Sequence, residues 1–225
     1  MKQGQGQPKI VYRRLEVGQG AERRRRRRLI IGVGIATALV AAIALATRGG
    51  GDSTADDAKP PAAEAHTRAG AQRASARMAR ELGSEKMFST SARHDLLRSI
   101  LASEGREEEI RAYDAQYAPL TKRIGLDPAG KPSLGSQFIS RATPAGTAVR
   151  SYTGSGATVS VWCSTLFGLT GQSARQEIPV EDGWLTMTMS MVWQDGQWRM
   201  ADMEQKDGPE PGTAAAREFA AAPIR

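Results

Sequence analysis

Residues that usually carry chemistry are scarce in this 225-residue chain: it has one cysteine, Cys163, and two histidines, His66 and His94. With one cysteine, an exported domain has no internal disulfide and depends on its core alone. Cys163 lies in the alternating stretch VSVWCS and reads as a small buried apolar residue. No group of Cys, His and carboxylates has metal-ligand spacing. The H-E-x-x-H, G-x-S-x-G, P-loop and dinucleotide fingerprints are all absent. Gly-x-Gly occurs at Gly4/Gly6, Gly32/Gly34 and Gly154/Gly156. The first is in a polar tail, the second in an apolar segment and the third in a hairpin without a following helix, so none cradles a phosphate. Aromatic residues make up only 5 % of the chain, and the heavy use of Ala, Arg and Gly reflects coding bias rather than function. These absences argue against an enzyme, and no cofactor or metal is expected.

What is present is a sharp division of charge. Residues 1–28 hold ten Lys/Arg against two Glu, net +8, and Arg23 to Arg28 form an unbroken run. Residues 48–225 hold 21 Lys/Arg against 22 Asp/Glu, net −1. Between them, residues 29–47 (LIIGVGIATALVAAIALAT) carry no charge. As a helix this stretch spans ~28 Å, close to the hydrocarbon thickness of a bilayer. The expectation is a basic cytoplasmic tail over 1–28, a transmembrane helix over 29–47 and an extracytoplasmic remainder. The arginine run sets this orientation and contacts anionic lipid. Since the large domain is not basic, direct nucleic-acid binding by it is not expected. A second reading stays open: Ala44-Leu45-Ala46 fits a signal-peptidase site, with cleavage after Ala46. Gly32/Ala36 and Gly34/Ala38 are small-xxx-small pairs, a weak indication of helix pairing.

Residues 48–83 read as a linker and helical stalk: RGGGDSTADDAKPP, then an alanine-rich segment with a weak apolar face. The folded domain is expected over 84–208. Helical spacing appears over 91–103 through Leu96, Leu97, Ile100 and Leu101, and over 106–126 through Ile110, Tyr113, Tyr117, Leu120 and Ile124. Glu107, Glu108 and Glu109 fall in the first turn of the latter, where carboxylates suit the helix dipole. Pro119 is expected to kink or shorten it. After the turn cluster DPAGKP at 127–132 the period changes to 2. Strands are predicted over 136–142, 147–153, 157–166, 183–194 and 197–205. The strongest signal is the last pair, joined by a two-residue Asp195-Gly196 turn. That register sets Gln194 opposite Gln197, Trp193 opposite Trp198 and Met191 opposite Met200. Residues 209–225 are Pro/Ala/Gly-rich and read as a disordered tail.

Helices followed by a meander of long strands make an α+β roll, with helices packed on a curved antiparallel sheet. Candidate binding residues lie on one face of the last hairpin: Met187, Met189, Met191, Trp193, Trp198 and Met200. They read first as core, and otherwise as the lining of a soft apolar pocket. If Trp198 and Met200 face inward, so do Asp202 and Glu204. A buried Asp202 is then the one candidate general base, and the alternative is a strand end emerging into solvent.

The motif Trp193-Gln194-Asp195-Gly196-Gln197-Trp198-Arg199, with Asp207-Gly208-Pro209 after it, resembles the NTF2-like (cystatin-like) superfamily over residues 84–209. More narrowly it is similar to the membrane-anchored VirB8-type and TcpC-type subunits of actinobacterial conjugative, type IV secretion-like systems. That resemblance implies a non-enzymatic scaffold that self-associates and contacts other secretion-channel subunits. Membrane-anchored proteins that accompany Mce lipid-import systems share the layout, and they imply an accessory protein holding a lipid or apolar ligand in the cone of the sheet.

Overall fold

A computed structural model of the chain describes residues 64–171 and 178–223. The predicted basic tail and membrane segment, and nearly all of the linker, lie outside the described residues. Among the described residues no helix is long and apolar enough to cross a membrane. The architecture is α+β: three helices against a curved antiparallel sheet of five strands, in the order β4-β3-β2-β1-β5.

The alanine-rich segment is part of this domain rather than a stalk. Its helix α1 spans Arg68–Leu82, started by Thr67, whose hydroxyl accepts the Gly70 N–H at 3.0 Å. Ala71, Ala74, Met78 and Ala79 are fully buried against the sheet. Alanine gives a weak apolar moment, but it also lets a helix backbone lie close to its neighbour. Gly83 marks the closest approach: a Cβ there overlaps the Ala142 side chain. The Ser140 hydroxyl donates to the Gly83 carbonyl at 3.0 Å beside it.

A short 3-10 turn, Glu85–Phe88, leads into α2 (Thr90–Ile100), and α3 follows over Arg106–Ile124. Leu97, Ile100 and Ile110 are buried as their spacing predicts. Glu107, Glu108 and Glu109 do occupy the first turn of α3. Pro119 does not shorten this helix. Pro119 and Ala115, whose carbonyl loses its donor, are both exposed, so that carbonyl is open to solvent rather than buried unpaired.

The strands are β1 Ser136–Tyr152, β2 Gly156–Gly171, β3 Glu181–Gln194, β4 Gln197–Asp207 and the two-residue β5, Ala220–Ala221. The two strands predicted over 136–153 are one. Pro144 and Gly146 read as a break, but the chain absorbs them as a bulge at Ala145, and a second bulge falls at Arg150. Each adds an unpaired residue and flips the alternation. Phe138 and Ala142 therefore face the helices before the first bulge, and Thr147 and Val149 after it.

The last hairpin has the predicted register: Met191 opposite Met200, Trp193 opposite Trp198 and Gln194 opposite Gln197. Asp195 and Gly196 both have positive φ, 51° and 73°, as a type I′ turn requires.

Candidate functional site

The six predicted binding residues do share one face, and that face is filled. Met189, Met191, Trp198 and Met200 are each at most 2 % exposed, and Met187 is 3 % exposed. Only Trp193 remains half-buried. Beneath α1 and α2 the methionines pack with Val159, Val161, Leu97 and Ile100 in a single core. Aromatic residues close this core at both ends. At one end Phe88, Tyr117, Phe138 and Phe167 meet edge to face or tilted, at 4.7–5.8 Å. At the other, Trp193 meets Trp198 edge to face at 5.4 Å, and His66 stacks on Trp193 at 4.3 Å. The Trp198 indole N–H donates to the Ala65 carbonyl at 3.1 Å, and His66 Nε2 donates to Gly154 O at 2.8 Å. The chain entering the domain is thus laid across the tips of both hairpins.

Each part of the W-x-D-G-x-W-R motif has a structural task. The tryptophans close the core and Asp195-Gly196 turn the chain. Arg199 donates to the carbonyls of Arg98 and Ser99 in the last turn of α2, where a cation suits the helix dipole. Burial and the neighbouring Arg106 lower the Arg199 pKa below its ordinary value.

Asp202 is not in the core. Ser190 faces Asp202 while Met191 faces Met200, so Ala201 is an extra residue on β4. This bulge inverts the alternation. Met203 turns inward against Met189, and Asp202 and Glu204 are exposed. Of the two placements open to Asp202, the solvent-facing one is found, and the inward placement as a general base is corrected, for the same reason that a one-residue slip exchanges the faces of a strand. Cys163 is buried, and burial pushes its thiol up to about 12, the behaviour of an inert core cysteine. Among the described residues no three His, Cys, Asp or Glu side chains gather as a metal site.

A charged node lies between α2 and α3. Arg93, 3 % exposed, donates from Nε and Nη2 to Asp114 Oδ1 at 3.0 and 2.7 Å, and from Nη1 to the Met87 carbonyl at 2.7 Å. His94 Nε2 reaches the same carboxylate at 2.9 Å. Burial pushes the Asp114 carboxyl up, but the bonds from Arg93 and His94 outweigh it and hold its pKa below the ordinary value. Arg93 also lies 5.3 Å over the Tyr117 ring. Arg93 and Asp114 line an open cleft of about 970 Å³ together with Lys122, Lys131 and Leu134, the last 96 % exposed. His94 sits beside Asp95 in sequence, and its pairing with Asp114, 20 residues on, has no local signal.

On the other face of the sheet lies a second arrangement that sequence reasoning missed. Trp162 and Trp184 stack there at 4.4 Å. The segment read as a disordered tail crosses them. The Trp162 indole N–H donates to Pro209 O, and the Thr186 hydroxyl to Gly208 O, both at 2.8 Å. A 3-10 turn, Ala215–Glu218, follows. Phe219 then lies 5.9 Å from Trp162, and β5 pairs with β1 at Gly146 and Thr147. The only hint in sequence was Phe219, a lone aromatic among alanines.

One protein family, described as "Domain of unknown function (DUF8175)", matches residues 63–220. The chain belongs to the DUF8175 family. The DUF8175 match starts ahead of α1 and ends in β5, so it includes both the alanine-rich helix and most of the tail that the predicted boundaries 84–208 left out. No curated protein matches the chain. Among solved structures, it is similar to an IcmL-like type IV secretion system protein from Legionella pneumophila. That match has 8 % identity and TM-score 0.46, and covers 66 % of this chain and 98 % of that one. It is also similar to the intermembrane space region of the chloroplast protein ARC6, with 14 % identity and TM-score 0.37, covering 59 % and 91 %.

Proposed function

We propose that the protein is a non-enzymatic, single-pass membrane scaffold. In this reading it assembles a conjugative DNA-transfer, type IV secretion-like apparatus through protein–protein contacts of its α+β domain. The observation that carries the reading is the filled inner face: the Met/Trp row that would line a ligand chamber is the domain's own core. Recognition then falls to the outside of the domain. The apolar stretch 29–47 behind its arginine run supplies the anchor in this reading, with the N-terminus cytoplasmic and the domain extracytoplasmic. The W-x-D-G-x-W-R resemblance supplies the apparatus.

The test is in-cell cross-linking of tagged full-length protein, followed by detergent purification and mass spectrometry of bound proteins and small molecules. Recovery with a secretion ATPase or a polytopic channel subunit is the expected result. A solitary protein carrying stoichiometric lipid would overturn it and favour the accessory ligand-binding reading.

A further inference from the structure

The tail on the outer face is bound as a peptide is bound. Its residues make the three kinds of contact that a peptide groove makes. Backbone pairing comes from β5 against Gly146 and Thr147, and from the Ala222 N–H to the Ala145 carbonyl at 3.1 Å. An aromatic anchor comes from Phe219, held by Trp162 and by the Arg150 guanidinium 5.7 Å from its ring. A charge contact comes from Glu218, 3.0 Å from Arg150 Nη1. Gly146 completes the groove. It does not have positive φ, so its backbone does not require glycine. What requires glycine is space: a Cβ there would stand 2.7 Å from the Phe219 Cβ, 3.1 Å from Ala220 O and 3.5 Å from Trp162 Cε3. The strand is hollowed at the position where the aromatic side chain crosses it.

Little of this segment is buried, and the residues before it touch solvent rather than the sheet. Among residues 215–221 only Ala216 is buried, Phe219 is half-buried, and the Arg150–Glu218 pair is exposed. Residues 210–214 are all exposed, and their hydrogen bonds are local, from Thr213 to Glu210, from Ala216 to Thr213 and from Arg217 to Ala214. The tail is therefore held at Gly208–Pro209, runs exposed over 210–214 and docks again at 216–222.

We infer that this groove takes the C-terminal segment of a second copy, so that two chains exchange residues 215–222 reciprocally. Exchange re-forms every docking contact and gives none up, which is why swapping an end segment is a low-cost route to a two-fold pair. The partner is set by the groove's chemistry: an acidic residue closing a 3-10 turn, then an aromatic and small residues in extended backbone, as in Glu218-Phe219-Ala220-Ala221. This inference rests on residues of the domain alone and does not depend on the anchor or the apparatus proposed above.

The test uses two differently tagged full-length chains, one carrying Ala145→Cys and the other Ala222→Cys, mixed under mild oxidation. A disulfide between the two tags is expected to rise with protein concentration. It should fall at least tenfold when the Ala222→Cys chain also carries Phe219→Ala, or when excess peptide of residues 212–225 is present. A third chain carrying both cysteines reports whether the geometry permits the bond. If that chain closes its own disulfide and the mixed chains form none, the segment stays on its own domain and the inference is overturned. It is overturned equally if neither bond forms, because the groove then does not hold the segment, or if Phe219→Ala and the peptide leave the inter-chain product unchanged.

Discussion

On one face of β3, Met187, Met189 and Met191 are sealed beneath two helices. On the other face of the same strand, Trp184, Thr186 and Thr188 are half-buried, Trp184 and Thr186 beneath a tail. All eleven aromatic residues among the described residues are in clusters divided between these faces. Under the helices they terminate a continuous core, and removing one opens a cavity that nothing can fill. Under the tail they form a platform that the C-terminal segment covers. One face of the sheet carries the packed core and the other a single docked segment.

The largest expected effect tests the first half of that contrast. Trp198→Ala removes a fully buried indole together with its bond to Ala65 O. It should cost about 3–5 kcal/mol in urea unfolding. A loss under 1 kcal/mol would mean that the inner face is not a packed core.

The Arg93–Asp114 node is next. Asp114→Asn leaves a buried guanidinium short of its counter-charge. The expected cost is about 2 kcal/mol, below the usual figure for an orphaned buried charge because the Asp114 side chain is 35 % exposed. The sign with pH is fixed. The Asp114 pKa is lowered on folding, so its contribution is complete above the ordinary aspartate value near 4 and is lost as pH falls through the lowered one. The stability difference between wild type and Asp114→Asn should therefore shrink on acidification, as read by unfolding at pH 7 and pH 3. A constant difference would mean that the carboxylate's charge is not what the node uses.

The outer face should respond more mildly. Gly146→Ala puts a methyl group against Phe219 and should release the tail, at a cost of about 1 kcal/mol. Tryptophan emission should shift to longer wavelength as Trp162 becomes wet, while far-ultraviolet circular dichroism stays unchanged. Global unfolding of this variant would erase the distinction between the two faces. The smallest effect belongs to Asp202→Asn, within about 0.5 kcal/mol because the side chain points to solvent.

The parts of this fold legible in the sequence were those with strong local signals. The last hairpin was readable because alternation and an Asp-Gly turn agree on a single register. Helices α2 and α3 were readable from leucine and isoleucine at helical spacing. Helix α1 was undervalued because alanine contributes little to an apolar moment, although its small size is what permits close packing. Strand β1 was divided because Pro144 and Gly146 resemble a loop. Pro144 is tolerated beside a bulge, at the end of the stretch of β1 that β5 does not reach. The bulge at Ala201 leaves no mark in composition, so the inward side of β4 was misassigned beyond it. The tail reads as disordered because its docking depends on tertiary partners, Trp162 and Gly146, which lie 57 and 73 residues before Phe219.

The bulge at Ala201 also bears on how the sheet ends. Strand β4 forms one border of the sheet, and Leu101 shields it only near Met200. Beyond that point a kinked backbone presents Asp202, Glu204, Lys206 and Asp207 to water. Kinks and charges of this kind turn away an incoming strand. The opposite border, at β1, receives one instead, through β5. Sheet extension in this molecule therefore has a polarity: one border refuses a neighbour and the other already holds one. Two-fold pairs meeting at β1 would present only refusing borders outward, and assembly through the sheet would stop at two.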